Sequence, residues 1–370
     1  MKLTFAKSDL VNSINISLKA VPSKTTMPIL ECILIEASPI EIKMTSNDME
    51  LGIETIVKGD VHERGKVAID AKLFSEIIRK LPDSEVTVET DDNYNVSISC
   101  EKAHFKISGK SGDEFSYLPV IEKNDYISIS QFTLKEVIRQ TIFSIAANEN
   151  NKLMTGELFE VNESELKVVS LDGHRISIRK IQLKDNYGHK KVVVPGKTLN
   201  EISRILSGDK DKEVLIFFGN NHILFEFDDT VVVSRLIEGE YFKINQMLSS
   251  DYDTKVVLNK KELLDCIERS VLLIRESDKK PIIIKINDEE MELGITSAIG
   301  SMKENITVTK NGKDIMIGFN PRFLIDALRV IDDEEVSLYM INSKAPCFIR
   351  DDEQNYIYLI LPVNIDSARG

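Results

Sequence analysis

The chain has 370 residues, 42% hydrophobic and 29% charged, the balance of an ordinary soluble globular protein with room for two or three domains. A formal net charge of −13 argues against a protein that coats nucleic acid over its whole outer surface, but leaves a locally basic face open. Cys32, Cys100, Cys266 and Cys347 include no close pair for metal or redox chemistry. No apolar run reaches membrane-span length, and Met1-Lys2-Leu3-Thr4-Phe5 leads straight into patterned sequence; a reducing cytoplasm and no membrane association are therefore expected.

In chain order, Ser8-Asp9 opens a helix with apolar Leu10, Ile14 and Leu18. Asp70 caps a second helix containing Lys72 to Arg79. Strands 85–89 and 96–99 then flank a polar turn at Asp91-Asp92-Asn93. The pattern recurs: Thr133 is expected to cap a helix with Val137, Ile138 and Ile142, and Pro195-Gly196 leads into the helix from Lys197 to Arg204. Strands 214–218 and 223–227 follow, around Gly219-Asn220-Asn221. A third round begins at Asn259, with Leu263, Leu264, Ile267 and Val271. Asn320 and Pro321 start the helix from Arg322 to Arg329, and strands 336–340 and 347–349 come after it.

Three of these helices share one arrangement. Lys72, Glu76 and Arg79, then Lys197, Glu201 and Arg204, then Arg322, Asp326 and Arg329 read base, three residues, acid, two residues, base, and the copies lie 125 residues apart. Two helical turns bring the cations to one face. The opposite stripes are Leu73, Ile77, Leu81; Leu199, Ile202, Leu206; and Phe323, Ala327, Ile331. A solvated face with each acid bridging its neighbours would explain one copy but not the recurrence. The chain is therefore an internal repeat of three α+β domains, each with two helices packed on antiparallel sheet. Joints near Glu122–Asp125 and Ser249–Asp253 give domains 1–123, 124–249 and 250–370.

This order resembles the bacterial DNA polymerase III β sliding clamp family. Further motifs agree: Pro28-Ile29-Leu30, the acidic segment Thr45-Ser46-Asn47-Asp48-Met49-Glu50, Asp172-Gly173-His174-Arg175, Val194-Pro195-Gly196-Lys197, Ile315-Met316-Ile317-Gly318-Phe319-Asn320 and Leu359-Ile360-Leu361-Pro362-Val363. The match runs from Met1 to about Ile365. It implies the DNA clamp fold, a head-to-tail homodimeric ring around double-stranded DNA, held without sequence specificity. It also implies a non-catalytic processivity factor without cofactor.

By the same resemblance, Lys24, Lys72, Arg79, Lys152, Lys197, Arg204, Arg322 and Arg329 would face DNA. Phe105 and Ile107 would meet Leu272 and Leu273 of a second subunit. Short linear peptides of the polymerase III alpha subunit, clamp loader subunits, other polymerases and repair proteins would enter a groove. Its expected residues are Met154, Leu171, Gly173, His174, Arg175, Ile176, Phe242, Met247, Ile360, Leu361, Pro362 and Val363. Phe242 stands where the family often has proline, Gln246 and Asn364 replace basic residues of well-known members, and Asp366–Gly370 extends past the usual end.

Two other readings compete. A monomeric scaffold indifferent to DNA is separated by native mass. A hydrolase built on His174 lacks any nucleophile or ligand pair assignable from spacing. Gly109-Lys110-Ser111 does not complete a phosphate loop, because His104 stands where its first glycine belongs.

Overall fold

The computed structural model describes residues 1–147, 150–248, 251–275 and 280–365. The extension Asp366–Gly370 and the start of the second expected joint lie outside the described residues. Described helices are α1 (Lys7–Ser17), α2 (Ala71–Lys80), α3 (Gln131–Thr141), α4 (Gly196–Ile205), α5 (Lys260–Val271) and α6 (Pro321–Val330). The second, fourth and sixth are the three basic helices. Every strand pairing described is antiparallel, as the turn chemistry predicts.

The chain divides into two compact units, residues 1–135 with 197–236, and residues 136–196 with 237–370. In the first unit a five-stranded sheet runs Asp60–Glu63, Lys2–Ala6, Glu85–Thr90, Asn95–Cys100, Ala103–Ser108. A nine-stranded sheet runs Lys110–Ser111, Gly65–Asp70, Cys32–Ala37, Ile42–Asn47, Leu51–Val57, Thr230–Arg235, His222–Phe227, Glu213–Phe218, Tyr126–Ser130. The α1 and α2 helices are held in a core drawn from both sheets: Leu10 and Phe74 pack with Phe5, Val88, Ile33 and Ile69.

The second unit has a nine-stranded sheet in the order His189–Pro195, Gly156–Asn162, Glu165–Leu171, Arg175–Gln182, Tyr356–Ile360, Cys347–Arg350, Glu335–Met340, Thr254–Asn259, Thr309–Gly312. Its four-stranded sheet runs Gly300–Thr307, Glu290–Ser297, Ile282–Asn287, Ile315–Phe319. Between them α5 and α6 bury Leu263, Ile267, Leu324 and Leu328 against Ile284, Leu293 and Ile349. The middle repeat thus shares its strands between two sheets. Residues 213–235 extend the sheet of the first repeat, and residues 156–195 that of the third.

Local chemistry fixes the helix starts. Asp70 Oδ1 accepts from Leu73 N at 2.8 Å, Asn259 Oδ1 from Glu262 N at 3.0 Å and Asn320 Oδ1 from Arg322 N at 3.1 Å. Two expected starts are corrected. Ser130, the last strand residue, caps α3 by accepting from Thr133 N at 3.1 Å, so Thr133 lies inside the helix. The first helix begins at Lys7 on Ala6 without a side-chain cap, and Ser8 lies within it.

Of the expected apolar stripes, Ile77, Leu81, Leu199, Ile202, Leu206, Ala327 and Ile331 are buried, and two residues depart. Leu73 is 44% exposed, and Phe74 and Ile78 face the core beside Ile77. In α6, Phe323 is only half-buried while Leu324, Ala327 and Leu328 are buried. A four-residue step pairs Phe74 with Ile78, and Leu324 with Leu328, on the side nearest the sheets.

Candidate nucleic-acid and peptide interfaces

In the first unit the cations of α2 and α4 are all exposed, as is Lys24. Their partners differ. Lys72 has no ion pair among the described residues. Arg79 donates to Asn15 Oδ1 at 2.5 Å, Arg204 to Glu201 at 2.8 Å, and Lys197 is ion-paired with Asp48. Glu201 also lies 3.7 Å from Lys19. In both pairs the cation is exposed but the carboxylate is largely buried, Asp48 at 6% and Glu201 at 18%, so Lys197 and Arg204 must each leave a held carboxylate to meet phosphate.

The second unit holds Arg322, Arg329 and Lys152, again exposed. Arg322 has no ion pair among the described residues, and Arg329 pairs with Glu268 at 2.7 Å. Among the described residues, bridging within its own helix is made by Glu201, to Arg204. Asp326 leaves its own helix and binds Arg175 at 2.6 Å.

The same unit carries a groove of about 460 Å³. Nine expected residues line it: Met154, Leu171, Gly173, His174, Arg175, Ile176, Phe242, Met247 and Leu361. Most of its surface is apolar carbon, and the size suits one short extended segment. Three expected residues lie elsewhere. Ile360 is buried in the core shared with α5 and α6, and Val363 donates its N–H to Gly318 O at 2.8 Å. Pro362, between Leu361 and Val363, does not line the groove.

Leu359 and Pro346 line it instead. The alternation of a strand, which sends Leu359 and Leu361 to one face and Ile360 to the other, was the available signal for Leu359. Pro346 carried none.

One tight turn builds the groove's end. Asp172 Oδ1 accepts from His174 N at 2.9 Å and Arg175 N at 3.2 Å, with Gly173 at φ +88°. Leu361 N then donates to His174 O at 2.9 Å. The first unit repeats this turn. Asp48 Oδ1 accepts from Glu50 N at 3.0 Å and Leu51 N at 2.7 Å, Met49 has φ +75°, and Arg235 N donates to Glu50 O at 2.8 Å. There the Leu118 side chain packs against Gly52 so closely that a Cβ would have to displace it.

The expected contact residues lie near sheet edges. Phe105, 40% exposed, and half-buried Ile107 are on Ala103–Ser108, an edge of the five-stranded sheet. Leu272, 77% exposed, and half-buried Leu273 follow α5. Gly300–Thr307 forms an edge of the four-stranded sheet.

Comparison with known proteins decides what these features belong to. The N-terminal, central and C-terminal domain models of the DNA polymerase III beta subunit match residues 1–119, 128–243 and 245–364. The chain belongs to the DNA polymerase III beta subunit family. The beta sliding clamp of Staphylococcus epidermidis is 33% identical, covering 98% of this chain and 99% of that protein. A putative DNA polymerase III beta subunit from Eubacterium rectale superposes with a TM-score of 0.96 at 68% identity, covering 99% of this chain and 100% of that one. The DNA polymerase sliding clamp of Bacillus subtilis gives 0.95 at 33% identity, over 98% and 99%.

This beta subunit is accordingly a DNA sliding clamp, a non-catalytic processivity factor. Among the described residues no helix is long and apolar enough to cross a membrane, and no group of His, Cys, Asp and Glu could hold a metal ion.

Proposed function

We propose that two copies of this chain close head to tail into a ring around duplex DNA, in the bacterial cytoplasm, each contributing domains 1–123, 124–249 and 250–370. The observation that carries this reading is the thrice-repeated helix whose two cations stay exposed while its opposite side packs into the core. Lys24, Lys72, Arg79, Lys152, Lys197, Arg204, Arg322 and Arg329 are assigned to phosphate contacts. Such contacts position without reading sequence, as a sliding ring requires. Joining the edge at Phe105 and Ile107 to the partner's region around Leu272 and Leu273 would protect otherwise open strands. The apolar groove is assigned to short linear peptides of the polymerase III alpha subunit, clamp loader subunits, other polymerases and repair proteins.

Retention on DNA is topological in this reading, with affinity for free DNA weak at physiological salt. The test loads the protein onto a nicked circular plasmid with its loader, removes the loader, and passes the complex through a sizing column at moderately high salt. Protein should remain on the circle and be lost once the plasmid is linearised. Equal retention on both would overturn the ring.

A further inference from the structure

The acid at the fifth position of each basic-helix motif has a different fate. Glu76 is exposed, and Glu201 bonds Arg204 of its own helix. Asp326 bonds neither Arg322 nor Arg329; its Oδ2 accepts from Arg175 at 2.6 Å.

Arg175 is held from every side, its side chain 10% exposed. It donates through Nε to Asp172 Oδ2 at 3.0 Å and through a terminal nitrogen to Phe143 O at 2.6 Å. Its guanidinium lies 4.4 Å from the centre of the Phe323 ring, and His174 stacks on that ring at 6.1 Å. The α6 helix therefore supplies two supports one turn apart, Phe323 and Asp326, to the turn that ends the groove. Its Arg322 and Arg329 stay exposed.

The first unit shows what is particular here. Its equivalent turn places Leu51 at the position of Arg175, and its aspartate, Asp48, binds the helix cation Lys197 directly. In the second unit Asp172 is occupied by Arg175, and the bond to the basic helix runs through Asp326. Charges that serve a helix cation in one unit serve the groove in the other.

We propose that Asp326 is a positioning residue of the peptide groove: it fixes the Arg175 guanidinium, and through Asp172 the Gly173-His174 turn, in the shape that accepts a peptide. This rests on the groove being the peptide site. A single bond between charged groups, removed from a fork that keeps its other partners, should weaken peptide binding roughly ten-fold.

The test uses the full-length protein and a fluorescein-labelled peptide from the clamp-binding segment of the polymerase III alpha subunit. Anisotropy should show Asp326→Asn weaker by about ten-fold, with Glu76→Gln unchanged. Arg175→Lys keeps the charge but loses the fork. The double variant should bind no more weakly than the weaker single one, since both changes undo one arrangement. The salt dependence of duplex binding should be the same for Asp326→Asn as for wild type.

If Asp326→Asn matched wild type in peptide affinity, or strengthened duplex binding as loss of a DNA-facing acid would, the inference is overturned. Additive losses in the double variant would overturn it too. If the wild type failed to bind the peptide, or Leu361→Asp left binding intact, the peptide-groove reading itself falls.

Discussion

Lys197 of α4 is ion-paired with Asp48, whose side chain is 6% exposed, whereas Lys72 at the same motif position of α2 has no ion pair among the described residues. A lysine already facing a carboxylate must give it up before neutralising a phosphate. Lys72→Ala should therefore lower the log–log salt slope of duplex binding by about 0.9, the value for one phosphate contact, and Lys197→Ala by less. Asp48→Asn keeps the turn's acceptor oxygen and should strengthen duplex binding. Anisotropy titrations on a labelled duplex across a salt series measure all three; equal losses for the two lysines would remove the distinction.

Most of this architecture was legible because periodicity and turn chemistry are local. The 125-residue recurrence located three helices, and Asp70, Asn259 and Asn320 marked helix starts where their side chains cap the chain. What escaped depends on partners remote in sequence. Nothing near Asp326 indicates that it bonds Arg175, 151 positions away. Strands 213–235 gave no sign of joining the sheet of the first repeat, because sheet order is set by which edges meet. In the groove, the run from Ile360 to Val363 is broken up by the alternation that the strand imposes. That alternation buries Ile360 and brings Leu359 into the lining.

Glu157 interrupts the core of the middle repeat. Ile33, Glu157 and Ile282 pair with Ile69, Val194 and Phe319 in corresponding strands, so a carboxyl stands where the other repeats have isoleucine. It is fully buried, and the nearby Thr141 hydroxyl donates to Val137 O, which leaves both carboxyl oxygens without a formed hydrogen bond. Burial, opposed only in part by Thr141, pushes its pKa from 4.5 up to about 8. The native state keeps the proton while the unfolded chain releases it above 4.5. Stability is thus greatest below pH 4.5 for this group, and falls as pH rises to about 8, by on the order of 5 kcal/mol. Glu157→Gln should raise Tm at pH 8 and flatten the decline between pH 5 and 8. Calorimetry giving parallel pH profiles for variant and wild type would show that Glu157 ionises freely.

Leu272 and Leu273 follow α5 at its C-terminal end, the first 77% exposed and the second half-buried beside Gly300. A carboxylate at the second position would be desolvated without a counter-charge if a partner's sheet edge covered it. Leu273→Asp should yield folded monomers in sedimentation equilibrium, with an unchanged far-ultraviolet circular dichroism spectrum. A dimer persisting in that variant would place the interface elsewhere.

Gly173 and Met49 occupy the same place in equivalent turns, at φ +88° and +75°. Positive φ favours glycine, yet the first unit holds methionine there, so the turn alone does not demand glycine. The difference lies in what surrounds it. A Cβ on Gly173 would meet nothing within 4 Å, and Gly173 lines the groove with Leu361 and Met247, so a side chain there has open space to occupy. Gly173→Met should cost about 1 kcal/mol of stability, the scale of placing a non-glycine residue in this region. It should also reduce peptide binding by ten-fold or more, because the new side chain takes the space of the ligand. Melting curves and calorimetric titration with a polymerase peptide separate the two effects. Wild-type affinity in a folded Gly173→Met variant would mean that the peptide does not pass over this turn.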